Sequence, residues 1–249
     1  MSALNGGVQG RTTIDSASMS NPRRASEFHS AADGRMPASS RRGSWIAPLA
    51  IAIAIALALM VAAHLLDQSA WSGLRDPKVY ERDWGRLLRS FGYLPTWLVI
   101  AIGLWTHDRP ERGWGWRGGL IMLAPTVGGA VAEVLKLLVR RLRPDVDTFV
   151  YAFRAFNDHP LTNGGLGMPS SHVLVAFAGA TAMARLFPRA WWLWYLLAAG
   201  CALTRVLAVA HFLSDTVVAA ILGYAVGDLL SRWMLSKRAS LLIPQSATA

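Results

Sequence analysis

The chain begins with a polar stretch and continues as a series of long apolar segments separated by short charged loops. Residues 1–44 are rich in Ser, Gly and Arg and show no apolar periodicity. This composition is typical of disorder, because it offers too little apolar surface to form a packed core. Residues 1–44 are therefore predicted to be a disordered cytoplasmic tail.

The first apolar segment, from Trp45 to Leu66, has twenty-two residues without a charged side chain. At about 1.5 Å per residue, such a helix crosses a hydrocarbon core of roughly 30 Å. No face of the segment is polar, whereas a helix at the surface of a soluble protein has a polar face. The alternative is an export signal, because the segment follows Ser40-Arg41-Arg42, which resembles a twin-arginine signal. The segment is long for a signal peptide, so we expect a retained membrane anchor.

Five further apolar segments follow, at about residues 90–106, 118–139, 171–187, 190–209 and 215–235. Tryptophans cluster near the ends of several segments, as they do at membrane–water interfaces. The predicted fold is therefore all-α, a polytopic membrane helix bundle of about six transmembrane helices. This domain occupies residues 45–235 and is followed by a short C-terminal tail, residues 236–249.

The composition agrees with a membrane protein, with 53% hydrophobic residues, 16% charged residues and a mean hydropathy of +0.32. The net charge of +10 would suit a nucleic-acid-binding protein, but the basic residues are scattered over loops on both sides of the predicted spans. Nucleic acid is therefore not an expected partner. The single cysteine, Cys201, excludes a disulfide framework and a multi-thiolate metal site.

The distribution of basic residues predicts the orientation in the membrane. With six spans both termini share one side, which then holds fourteen of the 25 Lys and Arg residues, against eleven on the other side. Because cytoplasmic loops are enriched in Lys and Arg, both termini are predicted to be cytoplasmic. Assuming a bacterial source from the composition, the predicted location is the bacterial inner (cell) membrane.

Three clusters of residues suited to phosphate chemistry lie at span ends on the opposite, extracytoplasmic side. In the first, Lys136 and Arg143 are seven residues apart, so that both project from one helix face just before Pro144. Two cations on one face suit a phosphate group that is bound from several sides. Glu133, one turn before Lys136, is expected to form an ion pair with that lysine. The alternative is that Glu133 positions the lysine for phosphate.

The second cluster is Pro169-Ser170-Ser171-His172, at the start of the fourth span. Ser170 is a candidate N-cap, and the free N–H groups of the first helical turn form an anion-binding site. His172, in the same turn, is expected to reach a leaving-group oxygen.

The third cluster lies between the fifth and sixth spans and contains Arg205, His211 and Asp215. His211 and Asp215 are four residues apart, so on a helix the carboxylate can accept the Nδ1–H of the imidazole and leave Nε2 free as a nucleophile. Arg205 supplies a further phosphate contact. No group of His, Asp and Glu residues has the spacing of a metal site, so no metal and no cofactor are predicted.

Together and in this order, the three clusters resemble the type 2 phosphatidic acid phosphatase family, the integral-membrane relatives of the vanadium haloperoxidases. The family signature reads K-x-x-x-x-x-x-R-P, P-S-G-H and S-R-x-x-x-x-x-H-x-x-x-D, and the spacing agrees in all three blocks. The resemblance covers the chain from about the third span to the sixth. Ser171 replaces the glycine and Thr204 the first serine of the signature, and neither change removes a catalytic side chain.

The resemblance implies an integral-membrane phosphatase that needs no metal and hydrolyses a lipid phosphomonoester or diphosphate. It implies that His211 attacks phosphorus to form a phosphohistidine, that Asp215 orients His211, and that His172 protonates the leaving alkoxide and later activates water. The residues that would bind the phosphate oxygens are Lys136, Arg143, Ser170, Ser171 through its backbone amide, and Arg205.

The family's substrates are candidates here: phosphatidylglycerophosphate, phosphatidate, undecaprenyl diphosphate and the lipid A phosphates. A related phosphotransferase acting on lipid phosphates is the alternative within the same chemistry. A membrane transporter or a lipid-binding protein without activity is the alternative of a different class, but the strongly ionisable residues lie at span ends rather than along a path through the midplane. The implied partners are the lipid phosphate and the bilayer.

The outer loop between the third and fourth spans carries four aromatic residues, Phe149, Tyr151, Phe153 and Phe156. One hypothesis places this stretch on the bilayer surface, where it would guide a lipid headgroup to the site. The alternative is a loop that simply packs over the helix ends.

Overall fold

The computed structural model describes residues 46–108 and 115–242, with side chains as far as Arg238. Within these ranges the protein is helical, and β-structure is limited to two isolated bridges, Arg141 to Phe153 and Leu142 to Leu166. The predicted all-α class is confirmed. The predicted tail at 1–44 lies outside the described residues.

The helices follow one another along the chain with short connections, except for the long segment between α4 and α5. They are α1 (Ile46–Gly73), α2 (Asp83–Ser90), α3 (Leu94–His107), α4 (Trp116–Val139), α5 (Ser171–Leu186), α6 (Trp191–Leu207) and α7 (Leu213–Leu242). Short 3-10 helices at Pro77–Glu81 and Pro188–Ala190 precede α2 and α6. The chain divides into two units after Ile51, and of the first unit only the beginning of α1 is described.

Four helical segments among the described residues are long and apolar enough to cross a membrane: α1, α4, Pro188–Leu207 and Leu213–Arg238. Helices α2 and α3 form a fifth if they are counted as one span bent by 67°. Helix α5 is apolar but has only 16 residues. The predicted count of about six spans is therefore not confirmed, although each of the six predicted segments contains helix.

The break between α2 and α3 falls where the sequence pattern predicted one continuous span, residues 90–106. Helix α3 begins at Leu94 with Pro95 in its first turn, where the missing N–H of proline breaks no helical hydrogen bond. The residues before it turn back on themselves, with Gly92 and Tyr93 donating to the carbonyls of α2. Proline thus starts a helix here, whereas Pro125 lies inside α4.

Helix α5 lies at the centre of the bundle and packs against α4, α6 and α7. Its buried residues are mostly small, and the neighbouring helices approach closely because they too carry small residues. A Cβ atom on Gly223 of α7 would lie 2.7 Å from the Leu174 carbonyl oxygen, and one on Gly227 would lie 2.6 Å from that of Ala178. The first turn of α5 is therefore held by protein on several sides, which suits it to a site that needs fixed geometry.

Helix α1 is largely exposed, with apolar side chains such as Leu65 at 74% exposure, as expected for a helix in contact with lipid. It continues beyond the predicted end at Leu66 as far as Gly73. Asp67, in this extension, is only 1% exposed and faces other parts of the protein. The last helix, α7, likewise continues beyond residue 235, to Leu242.

Candidate active site

The three sequence clusters converge at one end of the bundle, as the topology predicted. The end of α4 contacts the start of α5 through Lys136 and Ser171, and the Ser170 amide donates to the backbone carbonyl of Asp215 at the start of α7 (3.3 Å). The segment between α4 and α5 closes over this end. Its Gly167 backbone N–H donates to the Arg141 carbonyl at 2.7 Å.

Lys136, in the last turn of α4, is held in place by Glu133 and Ser171. The side chain is 8% exposed, and its ammonium group donates to Glu133 Oε1 at 2.9 Å and to Ser171 Oγ. The Ser171 hydroxyl in turn donates to Glu133 Oε1 (2.5 Å), and Asn163 donates to Glu133 Oε2 (2.6 Å). The predicted ion pair is confirmed. The serine that replaces the signature glycine takes part in this cluster.

Arg143 and Arg205 bring two further positive charges to the same end. The expectation that Arg143 shares a helix face with Lys136 is wrong, because α4 ends at Val139 with Arg140 in a left-handed conformation. Arg205 is 4% exposed, and its Nη1 donates to the Tyr80 hydroxyl at 3.0 Å, while its buried Nε has no hydrogen-bond partner. Burial, and then the nearby charge of Arg205, lower the pKa of Arg143. Neither arginine forms an ion pair with a carboxylate within the described residues. Two mutually repelling cations without a paired anion favour the binding of an anionic ligand.

His211 lies in the loop between α6 and α7, not on a helix with Asp215 as the four-residue spacing suggested. Its Nδ1 lies 2.8 Å from the carbonyl oxygen of Gly167 and 3.7 Å from Asp215 Oδ2. Because a carbonyl only accepts, Nδ1 carries the proton, and Nε2 keeps its lone pair. The nearer acceptor of the Nδ1–H is therefore the Gly167 carbonyl, whereas the predicted acceptor Asp215 lies 3.7 Å from Nδ1.

Asp215, in the first turn of α7, supports the His211 loop in another way. Its Oδ2 accepts the backbone N–H of Phe212 at 3.0 Å, which holds the loop next to His211. Gly167 fits against this carboxylate because it lacks a side chain, since a Cβ atom there would lie 3.1 Å from Asp215 Oδ2. Burial of the imidazole lowers the pKa of His211 to about 4, although Asp215 opposes this change. His211 is therefore neutral at neutral pH.

Ser170 is the N-cap residue of α5, as predicted, but its hydroxyl makes no capping hydrogen bond. Its Oγ is buried without a partner, as is Nε2 of His172. The imidazole of His172 packs edge-on against Tyr93, with ring centroids 4.9 Å apart. Both side chains therefore present polar atoms whose hydrogen-bonding capacity is unused.

A cavity of about 360 Å³ opens beside His172 and Ser171. Its walls are mainly apolar and also include Tyr93 and Glu133. A mainly apolar cavity that reaches His172 and the first turn of α5 can hold the hydrocarbon part of a ligand whose polar part lies at that histidine.

A buried polar network that the sequence reasoning missed lies behind His211. Asp67 of α1 accepts from the Ser214 backbone N–H (2.8 Å), from the Ser214 hydroxyl (2.6 Å) and from the Tyr151 hydroxyl (2.9 Å). Burial and the bond to Asp67 raise the pKa of Tyr151 to about 12. A carboxylate at the end of an apolar segment is costly unless it is paired. The position of Asp67 directly after the first apolar segment is therefore the feature of the sequence that indicates a buried partner.

Arg141 joins this network to the residues around His211. Its guanidinium, 4% exposed, lies 3.4 Å from Asp67 Oδ2 and 3.6 Å from Asp215 Oδ1, and it donates to the Ser214 hydroxyl at 3.0 Å. It also stacks on Phe212, with the guanidinium carbon 4.3 Å from the ring centroid. Arg141 is thus a structural cation, whereas its neighbour Arg143 remains available to a ligand.

The loop aromatics divide into two groups. Phe149 and Tyr151 pack inward against Phe212, with ring centroids 5.6 Å and 4.9 Å away. Phe153 and Phe156 are exposed, at 63% and 70%. The inward pair supports the His211 loop, and only the outward pair is available to a bilayer surface.

Within residues 46–108 and 115–242, no group of three or more His, Cys, Asp or Glu side chains could hold a metal ion. Cys201 is buried and reduced.

Residues 117–239 match the model of the PAP2 superfamily. The chain carries a PAP2 superfamily domain. The matched range contains all eight residues that the sequence predicted for the site, from Lys136 to Asp215.

The chain is also similar to the lipid A 1-phosphatase of Rhizobium etli. The two are 29% identical over 191 residues, which cover 70% of this chain and 78% of that protein. No solved structure matches the chain significantly. The superfamily domain and this relative support a phosphatase, and the apolar helices make it a multi-pass membrane protein.

Proposed function

We propose that the protein hydrolyses a lipid phosphomonoester or diphosphate through a phosphohistidine on His211. The observation that carries this proposal is the state of His211: its Nδ1 proton is engaged by the Gly167 carbonyl, and burial keeps the ring neutral. A neutral imidazole with one nitrogen protonated and held in place has the other nitrogen free as a nucleophile.

In the proposed reaction, Nε2 of His211 attacks the phosphorus atom and forms a P–N bond. The P–O bond to the lipid breaks, its electron pair passes to the leaving oxygen, and His172 supplies the proton. Water, activated by His172, then attacks the phosphohistidine, breaks the P–N bond and releases phosphate. Asp215 stabilises the loop that presents His211, through its bond to the Phe212 amide.

Binding of the phosphate oxygens is assigned to Lys136, Arg143 and Arg205, with Ser170 and the backbone amide of Ser171 at the start of α5. Phosphoryl transfer depends mainly on positioning and on neutralising the charge of the transferred group. Three cations and a helix N-terminus supply both, so the proposed reaction needs no metal.

The proposed substrate is a lipid, because the cavity beside His172 is lined mainly by apolar residues within the helix bundle. The relative from Rhizobium etli, a lipid A 1-phosphatase, makes a lipid A phosphate one candidate. The distribution of Lys and Arg residues favours a bacterial inner membrane with the site on the extracytoplasmic face.

Phosphate release by the purified protein tests this proposal. We expect release from at least one lipid of a panel containing phosphatidate, phosphatidylglycerophosphate, undecaprenyl diphosphate and lipid A, in the presence of EDTA. His211→Ala should abolish release. His159→Ala is the matched control, because His159 lies on the outer loop with its side chain 74% exposed.

Two outcomes would contradict the proposal in different ways. Loss of all activity on chelation would exclude the metal-independent reaction. Wild-type turnover by His211→Ala, or no radiolabelled phosphate on His211 after rapid quenching with a labelled substrate, would exclude the phosphohistidine. Vanadate, which imitates pentacoordinate phosphorus, should inhibit competitively.

A further inference from the structure

Arg89, at the end of α2, is a cation beside the site that the signature does not include. It lies outside residues 117–239, the range matched by the PAP2 superfamily. Its guanidinium carbon lies 4.6 Å from the ring centroid of Tyr80 and 5.3 Å from that of Tyr93. Both tyrosines also contact residues of the candidate site.

The two tyrosines connect Arg89 to opposite sides of the site. Tyr80 accepts a hydrogen bond from Arg205 at 3.0 Å, so Arg89 and Arg205 meet at the same phenol ring. Tyr93 packs against His172 with ring centroids 4.9 Å apart. Arg89 therefore lies on the His172 side of the phosphate-binding cations.

The neighbouring arginines on the same surface are paired with acids, and Arg89 is not. Arg82 lies 3.0 Å from Asp76, and Arg86 lies 2.6 Å from Asp83. Within the described residues Arg89 has no carboxylate partner, and its Nε is buried without a hydrogen bond. A buried guanidinium nitrogen without a partner is costly, so this position is better explained by an anion that arrives with the ligand.

We propose that Arg89, framed by Tyr80 and Tyr93, binds a second anionic group of the substrate on the leaving-group side of the reacting phosphate. The substrate class that this subsite fits is a lipid diphosphate, whose second phosphate stays on the leaving group. This inference rests on the proposed function, because the leaving-group side is defined by the role of His172 as the proton donor. Arg89 is a binding residue here and takes no part in proton transfer.

Two substrates with the same hydrocarbon chain test the subsite: farnesyl diphosphate and farnesyl phosphate in detergent micelles. For Arg89→Gln we expect the KM of the diphosphate to rise about tenfold or more, with the KM of the monophosphate changed less than about twofold. Arg86→Gln, which removes an exposed and paired arginine from the same helix, should change neither. Equal losses for the two substrates, or no loss for the diphosphate, would overturn the proposal.

A binding measurement separates this inference from the proposed function. Inorganic pyrophosphate should raise the melting temperature of the wild-type protein more than orthophosphate at equal concentration, and Arg89→Gln should remove that difference. This readout needs no turnover, so it decides the role of Arg89 even if neither farnesyl compound is cleaved. Arg89→Lys keeps the charge and should retain part of the difference. A difference that is unchanged in Arg89→Gln, or absent in the wild-type protein, would overturn the proposal.

Discussion

Replacing Asp67 by alanine should destabilise the protein strongly, although Asp67 lies on the first helix and outside the matched superfamily range. The carboxylate is 1% exposed and accepts three hydrogen bonds of 2.6 to 2.9 Å, two of them from Ser214 and one from Tyr151. Its removal leaves the Ser214 amide, at the start of α7, without its acceptor. It also removes one of the two carboxylates next to Arg141.

The expected magnitude follows from the burial of the partners. Arg141 is 4% exposed, and after the substitution its nearest carboxylate oxygen is that of Asp215, at 3.6 Å. Removing one partner of a buried ion pair costs about 3–5 kcal/mol when the other charge stays buried without compensation. Because Asp215 still faces Arg141, we expect a cost near the lower end of this range. Asp67→Asn keeps an oxygen that can accept the Ser214 N–H, so it should cost less than Asp67→Ala.

Denaturant unfolding of the protein in detergent, followed by tryptophan fluorescence, measures this cost. The matched control is Asp83→Ala, because the Asp83 side chain is 98% exposed and its pair with Arg86 is open to solvent. We expect no measurable change in the control. A loss of unfolding free energy for Asp67→Ala that is no greater than for Asp83→Ala would refute the account of the buried network. Equal losses for Asp67→Ala and Asp67→Asn would refute the part assigned to the Ser214 amide.

Four further predictions concern the site and its loop. Because burial lowers the pKa of His211 from 6.5 to about 4, the acidic limb of the kcat/KM profile should lie near pH 4; a limb between about pH 6 and 7 would contradict the assignment. The same lowered pKa makes stability depend on pH, because His211 binds a proton in the unfolded state at a higher pH than in the folded state. The folded protein should therefore keep its full stability above about pH 6.5 and lose stability as the pH falls towards 4. A series of melting temperatures over this pH range would measure the loss. Ser171→Gly removes the hydroxyl that bonds to both Lys136 and Glu133. Steady-state kinetics should show KM raised by about two- to tenfold, with a smaller change in kcat. An unchanged KM would mean that this hydroxyl does not position Lys136. The Arg140 guanidinium donates to the carbonyls of residues 154, 155, 158 and 160. Limited proteolysis should therefore cleave the loop at 145–168 faster in Arg140→Met than in the wild-type protein. Equal cleavage rates would exclude a role of Arg140 in holding the loop.

Much of the helical architecture could be predicted from local pattern. Apolar length predicted helix in each of six segments, and the structure has helix in all of them. The count of about six spans is not confirmed, for two physical reasons. Pro95 starts a new helix instead of lying within one, and α5 is short because it is surrounded by protein and contributes small buried residues instead of a long lipid-facing surface.

The site was predictable as a set of residues but not as a set of contacts. The spacing of Lys136, Arg143, His211 and Asp215 identified the phosphate chemistry, and these residues do come together. The spacing also suggested a direct bond between His211 and Asp215, but His211 lies in a loop and its partner is the Gly167 carbonyl. A backbone carbonyl that is brought close by a distant segment leaves no residue-type signal in the sequence.

The sequence by itself determined the class of protein, the order of its helices and the functional groups available for phosphate, because apolar length and residue spacing are local properties. Only the tertiary structure decided how these groups are held. It paired Arg141 with Asp67 and Asp215 and left Arg143 and Arg205 without paired carboxylates. It also placed Arg89 against Tyr93, the ring that packs on His172. These assignments depend on distances between segments far apart in the chain. Adjacent arginines of the same type therefore acquire different roles only through the partners that folding brings to them.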